Sequence, residues 1–397
     1  MFRSPKVKLV LTLVLLVVIA GVIQINRQLP VIQVKPVSQS VEIPGSFSVT
    51  FPDQGESAVG TDNFGVVAAS ADQTAVPIAS LAKMMTAYLV LKEHPLQPGQ
   101  DGPSLTINAQ DVADYQADSN NGYSVLKVAQ GETLTEKQLL EGLLLPSGDN
   151  VASTLARWIS GSESAFVAKM NETAKSLGMN DTHYADASGV SEETVSSAVD
   201  QLKIAQAAMQ DPAFQKIVAM PQATLPVAGT VYNVDSMLGK HGIVGIKTGS
   251  TSAAGGCFVS TTPVVAENET HFIIAAVLGQ QSLYSLQQAL DANARILDQV
   301  RSEFTMYQLA PPAAGFGQLV SGWQTTSDLK VAQPVRIFGY PGMKIALSIQ
   351  NLKTQLPVST GENVATLRIE AGQKALTVPL QSAGRIDPPS FLWRLFR

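Results

Sequence analysis

Ser80 and Lys83 stand three residues apart in Ser80-Leu81-Ala82-Lys83. A serine hydroxyl is a poor nucleophile until a base takes its proton, and a lysine can be that base when burial or a second cation lowers its pKa toward neutrality. On a helix this spacing puts both side chains on one face. Two further strings follow in order, Ser147-Gly148-Asp149-Asn150 and Lys247-Thr248-Gly249. Together they point to acyl transfer through a covalent intermediate on serine. About one or two Ser-x-x-Lys strings are expected by chance in a chain of this size. Ser327-Asp328-Leu329-Lys330 is such a copy.

The elements around the strings separate the two copies. Pro77 precedes Ser80, and the residues from Leu81 to Glu93 are strong helix formers, so Ser80 lies at a helix start. After Lys330 the chain is β-like and broken by Pro334, which leaves no helix to fix a Ser/Lys pair. Thr135 and Gln138 form a capping-box pattern ahead of an apolar helix that Pro146 ends, so Ser147 falls in a tight turn between helices. Ser119-Asn120-Asn121 is a rival for the middle string, but the polar stretch 116–121 reads as an open loop. Further helices are predicted over 151–159, 163–177, 195–209 and 283–304. Strands are predicted over 47–51, 65–69, 243–248, 256–261 and 271–278, so the lysine string lies on a strand.

The chain has 397 residues, enough for two or three domains, with 45% hydrophobic and 15% charged residues. A net charge of -5 with no strongly basic stretch argues against nucleic acid as a partner. Four scattered histidines and one cysteine do not match common zinc spacings, and the chemistry requires no cofactor. Cys257 reads as a small buried thiol, because free cysteine is among the most buried residue types. A Ser-His-Asp alternative through His183, His241 or His271 lacks the G-x-S-x-G elbow around any serine.

Arg3, Lys6 and Lys8 precede an apolar run from Leu9 to Ile25, the pattern of an export signal or membrane anchor that leaves the rest of the chain outside. The run continues past Val18-Ile19-Ala20, a weak cleavage site, which favours an uncleaved anchor over residues 1–25. Residues 26–45 read as a linker, 46–305 as the domain carrying all three strings, and 316–387, after a proline-rich break, as a small all-β domain. Residues 388–397 mix aromatics with Arg394 and Arg397, which suits either a membrane interface or packing on the β domain.

These strings resemble those of the penicillin-binding serine D-alanyl-D-alanine carboxypeptidases. The likeness extends to Gly122-Tyr123-Ser124-Val125-Leu126-Lys127-Val128, to Gly178-Met179 followed by Ala187-Ser188-Gly189-Val190, and to Gly245-Ile246-Lys247-Thr248-Gly249-Ser250-Thr251. The resemblance implies an α+β, β-lactamase/transpeptidase-like catalytic domain: an antiparallel sheet flanked by helices, with a helical subdomain. It implies that Ser80 attacks the terminal D-Ala-D-Ala peptide bond of peptidoglycan stem peptides and that Lys83 accepts its proton. Ser147 would pass a proton to the leaving D-alanine, Lys247 and Thr248 would hold the terminal carboxylate beside Gly249, and the Ser80 and Ser250 N–H groups would form the oxyanion hole. β-Lactam antibiotics would be inhibitors, and the place of action the outer face of the bacterial cytoplasmic membrane.

The middle string departs from the family's Ser-x-Asn, because Asp149 stands where asparagine is usual and Asn150 follows. An ionised Asp only accepts hydrogen bonds, whereas Asn also donates. Either Asn150 takes the amide's part through a shifted loop, or Asp149 faces away and supports the loop. Two rivals remain at this level. A β-lactamase would need a deacylating glutamate, and Glu163, Glu172, Glu192 and Glu193 carry no recognisable loop signature. A catalytically impaired envelope scaffold would draw support only from the Asp149 departure.

Overall fold

A computed structural model of the protein describes residues 5–97, 99–353, 355–372 and 374–397. The chain divides into two compact units, Ser46–Thr305 and the N-terminal segment to Gly45 together with Met306–Arg397. The apolar run becomes α1 (Pro5–Asn26), a 22-residue helix with no buried residue. At 1.5 Å per residue it rises about 33 Å, and it is long and apolar enough to cross a membrane. The segment read as a linker, 26–45, instead supplies two short strands, β1 (Gln33–Pro36) and β2 (Ser40–Glu42). At four and three residues they are too short to show a period of two.

The unit Ser46–Thr305 is built on an antiparallel sheet of β3 (Glu56–Thr61), β4 (Gly65–Ala69), β5 (Ile246–Thr251), β6 (Gly255–Ala266) and β7 (Glu269–Gln280), in the order β5-β6-β7-β3-β4. All of β3 and the run Ile273–Leu278 of β7 are buried. Successive strand residues point to opposite faces, so an unbroken buried run means that helices cover both faces of the sheet. A helical group comprises α2 (Lys83–Glu93), α3 (Ala109–Asn120), α4 (Glu136–Leu144), α5 (Asp149–Ser160) and α6 (Glu163–Ser176). It is followed by α7 (Ala198–Ala208) and α8 (Pro212–Val218), and α9 (Ser285–Val300) closes the unit. α7 lies against β3 and β7, and α9 against β6 and β7. Buried Asn293 staples α9 to the sheet, its Nδ2 donating to the carbonyls of Phe258 and Ala275 at 3.2 and 2.9 Å.

Two local expectations are corrected. Residues 47–51 form no strand; Thr50 N donates to Gln299 Oε1 at 2.9 Å, and Phe47 meets Phe304 edge-on with centroids 5.7 Å apart. Residues packed against a helix show the same apolar alternation as an edge strand. The stretch 116–121, read as an open loop, is mostly the end of α3, which opens with a capping box between Asn108 and Asp111. That Asn-x-x-Asp spacing was the available signal, and the polar composition masked it. The Thr135/Gln138 capping box does form, at the start of α4.

The other unit is a seven-stranded antiparallel sheet. Its later strands are β8 (Gly315–Val320), β9 (Thr326–Val331), β10 (Lys344–Gln350), β11 (Asn363–Ala371) and β12 (Lys374–Ser382), in the order β1-β8-β9-β12-β11-β10-β2. The N-terminal segment therefore forms both edges, β1 along β8 and β2 along β10. Alternation is clear in β10, where Ile345 and Leu347 point inward. The chance string Ser327–Lys330 lies in β9, where Ser327 Oγ bonds Ser382 Oγ at 2.8 Å rather than a lysine. The terminal residues form α10 (Phe391–Phe396), whose Trp393 packs edge-on against Trp323 with centroids 5.8 Å apart. Phe391, Leu392 and Phe396 stay exposed.

Candidate active site

Ser80 sits in a single 3-10 turn, Ala79–Ala82, and Lys83 is the first residue of α2. Ala79, just before the serine, has φ 48, and Ser147, between α4 and α5, has φ 67. Left-handed backbone costs a non-glycine residue about 1–2 kcal/mol, and such strain clusters where a side chain must be aimed. The turn is held from one side by β5. A Cβ built on Gly249 would lie 3.0 Å from Ile78 O and 3.1 Å from Ser80 N, so the lysine strand approaches the serine turn backbone to backbone.

Lys83 is fully buried, and its Nζ donates to Ser80 Oγ at 2.8 Å, Asp149 Oδ1 at 2.6 Å and the carbonyl of Ser188 at 3.1 Å. Three acceptors are the full complement for an ammonium. The helix field acts on the pair in opposite senses: Lys83 opens α2, where the positive helix end disfavours a cation, and Asp149 opens α5, where it favours an anion.

Both expectations for the middle string are overturned. Asp149 faces Lys83 directly, and Asn150 takes no part at the lysine. Instead Asn150 accepts from Leu126 N at 2.9 Å and donates to Leu126 O at 3.0 Å, while Asp149 N donates to Ser124 O at 2.8 Å. The string thus pins the segment 124–126 against the start of α5. Sequence spacing could not separate the two side chains, because neighbours on a first helical turn diverge by about 100°.

Lys247 is 1% exposed and donates to the carbonyl of Thr248 at 2.9 Å. Burial, reinforced by the nearby charge of Lys83, lowers it to about 7. Thr248 is buried beside it, and Ser250 follows Gly249 on β5. Two acids that sequence reasoning passed over belong to the same electrostatic group. Burial, then repulsion from Asp149, raises Asp118 at the end of α3 to about 6. Burial likewise raises Asp235 to about 6; its Oδ1 accepts from Met237 N at 2.9 Å, and its buried Oδ2 has no hydrogen-bond partner among the described residues.

The other candidates lie elsewhere. His241 bonds Asp298 at 2.7 Å on the surface, and His271 bonds Asn63 at 2.6 Å. Ser119 is exposed near the end of α3. Cys257 is buried, its thiol pushed up to about 12 by burial, as expected of an inert packing residue.

The arrangement offers an oxygen nucleophile bonded to a buried lysine, and a second buried lysine on the adjoining strand. Comparison with known proteins fits that chemistry. The D-alanyl-D-alanine carboxypeptidase family model matches residues 55–282. The chain is 37% identical over 223 residues to the D-alanyl-D-alanine carboxypeptidase DacB2 of Mycobacterium tuberculosis, covering 54% of this chain and 71% of that protein. It is 25% identical over 319 residues to DacF of Bacillus subtilis, of the same activity by name, covering 78% and 76%. In fold it resembles a peptidoglycan synthesis regulatory factor, PBP3, from Streptococcus pneumoniae, with TM-score 0.62 and 21% identity over 86% of this chain and 100% of that one. The chain belongs to the D-alanyl-D-alanine carboxypeptidase family of penicillin-binding serine peptidases.

Proposed function

We propose that the protein removes the terminal D-alanine from peptidoglycan stem peptides through an acyl-enzyme on Ser80. The observation that carries this reading is the 2.8 Å bond between Ser80 Oγ and the fully buried Lys83 Nζ, beside a glycine-lined strand bearing Lys247. Lys83 is placed as the base for Ser80, and Asp149 Oδ1 at 2.6 Å orients its Nζ. Ser80 Oγ then bonds to the substrate carbonyl as its own proton passes to Lys83, and the N–H groups of Ser80 and Ser250 hold the oxyanion. The C–N bond breaks, and the leaving nitrogen of D-alanine receives the proton by way of Ser147. Water releases the shortened peptide by the reverse path. Lys247 and Thr248 bind the terminal carboxylate, a charge-assisted contact that selects a free C-terminus. β-Lactams enter as substrates whose leaving group stays attached.

The termini support a place of action at a membrane. α1 has spanning length, and α10 presents Phe391, Leu392 and Phe396 to solvent with Arg394 and Arg397 beside them, a composition suited to a bilayer interface. Gln24 near the end of α1 donates to the carbonyl of Arg397 at 2.6 Å, which sets both elements at one level. The peptidase would thus work from the outer face of the cytoplasmic membrane.

D-Alanine release from a diacetyl-Lys-D-Ala-D-Ala peptide is the direct test. The parent protein releases it and the Ser80→Ala variant falls to background, with a penicillin adduct found by mass spectrometry on Ser80 alone. Release that persists in Ser80→Ala would sink the reading.

A further inference from the structure

Asp186 lies outside the three strings, half-buried in the loop between α6 and α7. Both of its carboxylate oxygens are fully used. Oδ1 accepts from Gly189 N at 3.0 Å and Thr194 Oγ1 at 2.5 Å; Oδ2 accepts from Ser188 Oγ at 2.9 Å, Val190 N at 2.8 Å and Ser191 N at 3.2 Å. Five donors converging on one side chain fold residues 186–194 into a closed turn.

That turn is applied to the lysine. The Ser188 carbonyl accepts from Lys83 Nζ at 3.1 Å, and the Ala187 carbonyl accepts from Thr86 Oγ1 at 2.6 Å, three residues further along α2. Between them and the serine stands Gly189, at φ 86, where a Cβ would come within 1.8 Å of Ala79 O. The far end of the turn is tied to the strand that leads into Ser80. Ile78 N donates to Thr194 O at 3.2 Å, and Val76–Pro77 pairs with Val195–Ser196. The loop therefore touches the residue before the nucleophile and the base itself, and one carboxylate fixes its shape.

We propose that Asp186 is a positioning residue for acylation: through the 186–194 turn it sets the Ser188 carbonyl that holds Lys83 Nζ toward Ser80. The carboxylate is required because each of its oxygens accepts two donors or more, whereas an asparagine presents an acceptor on one side only and would face backbone N–H groups with its NH2 on the other. The inference rests on the reading of Lys83 as the base.

The test is stopped-flow acylation of the full-length protein by a fluorescent penicillin, resolving the binding constant, the acylation rate constant and the fraction of molecules labelled. In Asp186→Asn the rate constant falls ~10²-fold, as expected when a base is misplaced by about 1 Å, while binding and the labelled fraction stay at the parent's values. A reduced labelled fraction with an unchanged rate constant means a purely structural role and overturns the proposal, as does an unchanged rate constant at full labelling. Should Asp186→Asn fail to fold, Thr194→Val removes one of the five donors and carries the same prediction at smaller size. A rate equal to the parent's in that variant overturns the proposal. Lys83→Ala is measured in parallel: if it acylates at the parent's rate the base reading itself is wrong, whereas an inactive Lys83→Ala with a fully active Asp186→Asn rejects the positioning role alone.

Discussion

Lys247 carries the clearest pH signature at the scale of the residue. Burial and the neighbouring ammonium bring it from an ordinary 10.5 to about 7, so in the free protein its charge is lost as pH rises through neutrality. In the proposed function that charge binds the substrate carboxylate. The expected kcat/KM for a D-alanine-terminated peptide therefore declines above about pH 7, since this parameter reports the free enzyme. Asp149 is among the groups that raise Lys247, so in Asp149→Asn the decline begins at lower pH. The profile of kcat/KM from pH 5 to 9 decides the matter, and a flat alkaline side in both proteins would remove Lys247 from carboxylate binding. The serine and lysine strings were legible as residue types because acyl transfer needs those groups. Asp186 was not, since an acid that satisfies a loop looks in sequence like any other loop acid.

Among the elements, the start of α5 does two things at once. Its first residue faces Lys83 and its second, Asn150, pairs with both backbone groups of Leu126 as a strand neighbour would. Asn150→Ala leaves a buried donor and a buried acceptor unsatisfied, at roughly 2–4 kcal/mol in all. Asn150→Asp keeps the acceptor but turns a second carboxylate oxygen onto the Leu126 carbonyl at a buried position, and is expected to cost at least as much. Denaturant unfolding of the two variants measures the difference, and equal stability of Asn150→Ala and the parent would show that the pairing contributes nothing. Capping patterns at 135–138 and the long helix after Lys83 were readable, because caps and amphipathic periods are local. α3 and the strand pair 222–225 with 229–232 were not anticipated, since short or polar elements are stabilised by what they pack against rather than by their own composition.

For the whole molecule, the closure of the β unit by the N-terminal segment has a measurable consequence. β1 pairs over four residues with β8 and β2 over three with β10, so a chain beginning at Ser46 would leave both edges of that sheet open. At about 1 kcal/mol per net hydrogen bond the loss is several kcal/mol, against a total of ~5–15 kcal/mol for a typical domain. The truncated protein is expected to show an earlier thermal transition for the β unit and a tendency to associate through the open edges, with penicillin acylation kept. Calorimetry and light scattering test this, and an unchanged transition would mean that β1 and β2 are dispensable.

Sequence alone determined the acyl-transfer class, the nucleophile candidate and its lysines, several of the helices and strands and the apolar N-terminal helix, whereas the α+β fold was implied by the family resemblance. Each of the former is encoded locally, in spacing, capping or hydrophobic run length. Tertiary structure decided which of Asp149 and Asn150 meets Lys83, that the Ser188 carbonyl completes the lysine's three acceptors, and that residues 33–42 belong to a sheet whose other strands begin at Gly315. These contacts join positions tens to hundreds of residues apart. Their partners are chosen by the direction of a helix turn and by which edge of a sheet lies open, and neither quantity exists until the chain has folded.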